Sequence, residues 1–323
     1  MREISNACMR LPAALHSGCD SLQARSAAAR AGVRRGGCGL LARLCLGLFL
    51  ASSAPLVFVT PVAAQGVTQA ATVDDLKASL GIPALFKVLA REGQDYGASL
   101  DDGMLGGRGG AGWRQTVMRI YEPSRLEARF SQVFQEAIGN QPGVIAEANA
   151  FFNTPLGQRV VTRERETRET LLDPDAKEAA EVEAGKLRDA RSPRLRQIRR
   201  LIEAADLIEG NVASGLTGAA AFNEALSATL PEAQRLPEID RMAQIWRQEG
   251  EIRASTGLWL LSFMTLAYAP LTDEELQAWV DFSASDSGRA LNQALFTAYS
   301  ETFREVMAEL GHEVGLAALG KQI

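Results

Sequence analysis

Side chains suited to catalysis are scarce in this chain. Of its two histidines, only His312 lies beyond residue 64, and all four cysteines (Cys8, Cys19, Cys38 and Cys45) precede that point. From residue 65 onward there is therefore no thiolate nucleophile, no disulfide and no cysteine-based metal site. One imidazole cannot build a zinc centre of the usual kind. A serine hydrolase would need a Gly-x-Ser-x-Gly elbow, and none occurs. His312, in Leu310-Gly-His-Glu-Val-Gly315, reads as a surface residue meeting the last carbonyls of a helix. The sequence nominates no catalytic residue, no metal ligand and no cofactor.

Carboxylates are plentiful but scattered. Asp273-Glu-Glu275 follows Thr272 and reads as a capping box, with acids at the positive end of a helix; a glycosidase-type acid pair is the competing reading. In Arg163-Glu-Arg-Glu-Thr-Arg-Glu169, the pairs Glu164–Arg168 and Arg165–Glu169 stand four residues apart, which predicts a solvated, ion-paired helix face. The Gly-rich stretch 101–112 lacks the Gly-Lys-Ser/Thr of a phosphate loop and reads as a mobile connection. Residues 186–200 hold one Lys and six Arg against Asp189 alone. Arg194, Arg196, Arg199 and Arg200 form a candidate contact surface for anionic lipid head groups or an acidic protein, or else a solvated helix pair across Ser192-Pro193.

The elements that position these residues are helices. No stretch sustains the alternation of a strand, whereas Leu291, Leu295, Ala298, Thr302, Val306 and Leu310 recur at three- and four-residue steps. Leu276, Trp279, Val280 and Ser283 mark a helix before that one. Leu195, Ile198, Leu201, Ile202 and Ala205 mark another. The expected fold is all-α, a helical bundle built from two similar units. The second expectation rests on self-similarity. Phe151-Phe-Asn-Thr-Pro-Leu-Gly-Gln158 aligns with Phe282-Ser-Ala-Ser-Asp-Ser-Gly-Arg289, and Trp113-Arg-Gln115 with Trp246-Arg-Gln248, at nearly one offset. Each longer segment reads as a tight helix–helix corner. Thr154 and Ser285 are N-caps, Pro155 and Asp286 suit the first helical position, and Phe151 and Phe282 close the preceding helix. Gly157 and Gly288 let two helices meet closely. An anion held at these helix starts, beside Arg159 or Arg289, is the alternative.

At this corner the chain resembles the bacterial domain-of-unknown-function family numbered twenty fifty-nine. The second copy carries Tyr268-Ala-Pro-Leu-Thr-Asp-Glu-Glu-Leu276, then Phe282, Ser285, Gly288 and Arg289; the first carries Phe151-Phe-Asn-Thr-Pro-Leu-Gly-Gln158. Asp286 stands where the family usually has Pro, and Gln141-Pro-Gly-Val144 replaces the acidic helix start. The resemblance covers about the last fifty residues of each copy. It implies small helical domains of exported Gram-negative proteins and carries no activity.

The first 64 residues read as an address. Seven Arg precede the apolar run Leu44–Val59, which is interrupted by Pro55 and followed by Thr60-Pro-Val-Ala-Ala-Gln65. That order is a signal peptide, with cleavage expected between Ala64 and Gln65. A permanent anchor is the competing reading, but the run is short for a bilayer. The expected organisation is a signal peptide over 1–64, a flexible start over 65–73, a first unit over 74–185 and a second over 186–323. The whole chain has net charge −5, and losing the Arg-rich leader makes the remainder more acidic, which argues against nucleic-acid binding. No later apolar run reaches spanning length, so the expected location is the periplasm. The leading functional expectation is a non-catalytic interaction module binding a protein or envelope component. The alternative is a small-molecule or lipid carrier with a pocket lined by Trp259, Phe263, Trp279 and Phe296. An enzyme using only carboxylates and Arg comes third.

Overall fold

The computed structural model describes residues 71–320; the expected cleavage site at Ala64 and Gln65 lies outside them. Among the described residues there is no strand, in keeping with the all-α expectation. Seven helices come first: α1 Val73–Ser79, α2 Ile82–Leu100, α3 Gly110–Ile120, α4 Pro123–Ile138, α5 Pro142–Phe152, α6 Pro155–Thr170 and α7 Pro174–Asp189. Six more follow: α8 Pro193–Ala204, α9 Leu207–Thr229, α10 Glu238–Trp246, α11 Glu249–Ala267, α12 Asp273–Ala284 and α13 Asp286–Ala318. Five consecutive helices, α4 to α8, begin with proline, whose missing N–H costs nothing where the first turn has no acceptor to offer.

Two boundaries differ from expectation. Thr72 and Asp75 form a capping box, so helix begins at Val73, inside the segment expected to be flexible. The expected join at 185/186 falls within α7; the chain turns at 190–192, where Arg191 takes a left-handed φ of 50°. The Gly-rich stretch is also more ordered than a mobile loop. Asp101–Leu105 extends α2 as a π-helical turn that buries Met104 and Leu105, and Asp101 Oδ1 accepts from Gly109 N at 2.8 Å. Only residues 106–109 remain to connect it to α3.

Helix α13 is the spine. It lies along α9 and α4 and also meets α5 and α12, because its apolar stripe from Leu291 to Val314 is buried throughout. Its tyrosine Tyr299 packs with Phe86 and Phe130, ring centroids 6.0 and 4.6 Å away. The pairings recur in order along the chain: α1 meets α5 as α8 meets α12, α2 meets α4 as α9 meets α11, and α4 meets α13 as α11 meets α6.

Candidate functional site

The two corners face each other. Thr154 Oγ1 accepts from Gly157 N at 3.0 Å and donates to the Phe151 carbonyl at 2.6 Å; Ser285 Oγ accepts from Gly288 N at 3.0 Å and donates to the Phe282 carbonyl at 2.6 Å. A Cβ on Gly157 would strike the Phe151 carbonyl oxygen, and one on Gly288 would strike that of Phe282. Each glycine thus lets its helix start against the end of the one before. The Phe151 and Phe282 rings stack at 4.0 Å and 9°, with Trp279 stacked beside them. Arg159 pairs with Glu275, whose carboxylate also accepts from Thr272 N within the expected capping box. These cap N–H groups are already satisfied by side chains of the chain itself, so packing accounts for the motif.

The charged run in α6 is not the solvated face its pairs predict. Arg165–Glu169 does form, at 3.5 Å. Arg168, however, is 2% exposed and grips Glu92 of α2 through two bonds, Nε–Oε1 at 2.6 Å and Nη2–Oε2 at 3.0 Å. Its guanidinium lies 5.7 Å from the centre of the Trp259 ring. Glu164, also buried, accepts from the Tyr268 hydroxyl, which in turn accepts from Trp279 Nε1 at 3.0 Å. Burial, and then the Glu164 charge, hold the Tyr268 hydroxyl well above its usual range. Burial, and then Glu92, do the same at Tyr121. The signal was present in the spacing. Gly157, Val160, Val161, Glu164, Arg168 and Leu171 recur at helical steps, which puts both charges on the apolar stripe. Two buried acids are therefore present, but each is bonded within the core.

The four arginines nominated on α8 divide. Arg194 is turned inward and belongs to the fold: Nη1 meets Asp273 Oδ1 at 2.8 Å, and Nη2 donates to the carbonyls of Tyr268 and Leu271, the latter at 2.7 Å. It ties the turn between α11 and α12, so it leaves the candidate contact surface. Arg196, Arg199 and Arg200 are exposed and share the opposite face at i, i+3 and i+4. None has a carboxylate at ion-pair distance among the described residues, where most of the other arginines do; Arg196 donates to the Arg191 carbonyl, at 3.0 Å.

The expected aromatic pocket is filled. Trp259 and Phe263 stack on each other in the core, Trp279 belongs to the corner cluster, and Phe296 packs against Gly210. A different, half-open cavity of about 460 Å³ lies between α7, α8 and α11, walled mainly by apolar groups of Ala179, Leu187, Ile198 and Leu266, with Thr265 among them. Helix α10 shows a third feature. Ile239 (76% exposed) and Trp246 (62%) share one outward face with Met242, while Ile245 faces the core. His312 is exposed within α13, more than a turn before its end at Ala318, and so does not meet the final carbonyls. Among the described residues no group of three potential metal ligands comes together, and no helix is long and apolar enough to cross a membrane. No family model, curated protein or solved structure matches the chain.

Proposed function

We propose that this chain is an exported, non-catalytic interaction module that meets an anionic partner of the cell envelope through Arg196, Arg199 and Arg200. The observation that carries the reading is the alignment of these three exposed guanidiniums on one face, with no carboxylate at ion-pair distance among the described residues, in a chain rich in acids. Planar guanidiniums bind carboxylate or phosphate in two-pronged fashion, and an aligned set of them makes such a contact oriented. The signal peptide, the periplasm and a tandem origin for the two halves belong to the same proposal. The matching corners and recurring helix pairings support the tandem origin. The Arg-rich leader, its apolar run and the small residues before Gln65 support the location.

The test is crosslinking of the exported protein in cells, with recovery of what it touches. Charge reversal of Arg196, Arg199 and Arg200 together should abolish partner recovery without changing the melting temperature, and His312→Ala should leave recovery intact. The reverse pattern overturns the proposal and promotes an enzyme. The intact mass of the exported chain should begin at Gln65; a retained leader makes it an anchored protein instead. The groove between α7, α8 and α11 favours a second reading, a carrier of an apolar small molecule or lipid.

A further inference from the structure

A row of exposed arginines runs from the end of α7 along α8, and its first member is held at a conformational cost. Helix α7 closes in a Schellman turn: Ser192 N donates to the Leu187 carbonyl at 3.0 Å, and Arg191 N to that of Arg188 at 3.1 Å. The residue after the cap in such a turn is left-handed and is usually glycine. Glycine stands there after α1 (Gly81, φ 61°) and after α13 (Gly320, φ 68°); after α8 it is Asp206, a short residue that tolerates the region. After α7 it is Arg191, at φ 50°, which has neither advantage. A long side chain kept where glycine is easier is evidence of a use beyond the fold. Arg191 is exposed, and its carbonyl accepts from Arg196 Nη1 at 3.0 Å, which sets it at the start of the face that carries Arg196, Arg199 and Arg200. Among the described residues no carboxylate is at ion-pair distance from any of the four, whereas Lys186, Arg188 and Arg194 beside them are all paired.

The chemistry around the row selects its partner. A protein interface is built round an apolar centre with aromatic anchors. Among the described residues, none of the exposed large apolar side chains, Ile239 and Trp246 foremost, belongs to the turn at 190–192 or to α8. An anionic lipid surface needs no such centre, because each arginine near it is attracted by the whole sheet of phosphates. The rest of the chain is rich in acids and is repelled by that sheet, so this face is the one that approaches it. We infer that Arg191, Arg196, Arg199 and Arg200 seat the chain on a bilayer surface of anionic phospholipid, held by charge, with no segment inserted. The inference rests on the arginine-face reading and narrows its anionic partner to lipid.

Co-sedimentation of the exported protein with lipid vesicles tests it. Vesicles containing phosphatidylglycerol should bind the protein, and pure phosphatidylcholine vesicles should not. Binding should vanish as salt rises from about 0.1 to 1 M, where screening shortens to about 3 Å. Arg199→Gln and Arg191→Gly should each weaken it about fivefold. Arg191→Gly should at the same time raise the melting temperature, because it relieves the left-handed backbone; a lowered one would show that the arginine serves the fold, against the proposal. Arg247→Gln, at an exposed arginine outside the row, should change nothing. Soluble glycerol phosphate should not compete; competition would mean a site for one phosphate and not a surface. If Trp246→Ala releases the protein from vesicles while the arginine variants do not, docking runs through α10 and the proposal is overturned. If vesicles fail to bind while crosslinking in cells still recovers an acidic protein through Arg196, Arg199 and Arg200, the lipid assignment falls and the interaction-module reading stands. If that recovery is lacking too, both fall.

Discussion

Ten and fourteen residues after the capping hydroxyl, α6 carries Glu164 and Arg168, whereas α13 carries Leu295 and Tyr299. All four are buried, and both helices leave corners of the same geometry. In α13 the site is closed by rings, with Tyr299 against Phe86 and Phe130. In α6 it is closed by charge, with Arg168 on Glu92 and Glu164 under Tyr268. Positions at the same distance from two corners of matching local geometry thus bury opposite chemistries. Apolar burial supplies net free energy wherever it packs, while a buried ion pair roughly breaks even after desolvation and acts by fixing one arrangement. The ring-lined helix supplies cohesion. The charged one fixes how α6 sits on α2 and α11.

The sharpest way to break this comparison is to remove one charge. Arg168→Leu strands Glu92 in the core and should cost about 3–5 kcal/mol in a denaturant titration. Removing both, as Glu92→Leu with Arg168→Met, should restore stability to within about 1 kcal/mol of wild type or raise it. On the other side, Phe130→Ala should also cost about 3–5 kcal/mol, and here no second substitution at Tyr299 should rescue it. A harmless Arg168→Leu would mean the pair is solvated and the contrast false.

The corners test the likeness rather than the difference. At Gly157 and Gly288 a side chain meets backbone, which cannot swing away. Gly157→Leu and Gly288→Leu should each cost about 1–3 kcal/mol, by similar amounts in the two halves. A large cost on one side alone would mean that the shared geometry carries different loads. Thr154→Ala and Ser285→Ala remove the caps and should cost about 1 kcal/mol each, again measured as paired shifts in denaturation midpoint.

Much of this was legible in the residue pattern. The helices, the capping box at Thr272 and the paired corners follow from spacing and local hydrogen bonding, which operate over a few residues. The facing of the two corners was not, because stacking of Phe151 on Phe282 is a tertiary outcome with no local signature. Arg194 looked like its neighbours in composition, yet it points toward the turn at 268–273, a contact across 79 residues to Asp273. Glu164 and Arg168 depart from the spacing rule for a different reason. Opposite charges at i,i+4 suit a wet surface equally well, and only their register with Val160 and Val161 told them apart. The groove depends on how α7 leans on α11 through Ala180 and Ala184, two small side chains whose spacing says nothing about the space left beside them.

The smallest expected effect joins the two corners. Glu275 is held below the usual carboxylate range by the Thr272 backbone N–H and then by Arg159, so the capping box of α12 is coupled to a residue five positions beyond the cap of α6. A carboxylate whose value is lowered by folding stabilises the native state above its unfolded value; that stability is lost as pH falls through the folded one. Glu209, lowered by Arg253, and Glu301, lowered by Arg304, act with the same sign, while Asp95, raised by burial, acts against them. Melting temperature should therefore decline from neutral pH toward pH 3. Glu275→Gln should shallow that decline slightly, by less than either cap variant lowers the melting temperature at pH 7, because the pair is exposed and screened by salt. Arg159→Gln should shallow it less than Glu275→Gln, since the Thr272 N–H remains. If Arg159→Gln instead matches Glu275→Gln, the cross-corner ion pair outweighs the cap, and the two corners are coupled electrostatically as well as by their stacked rings.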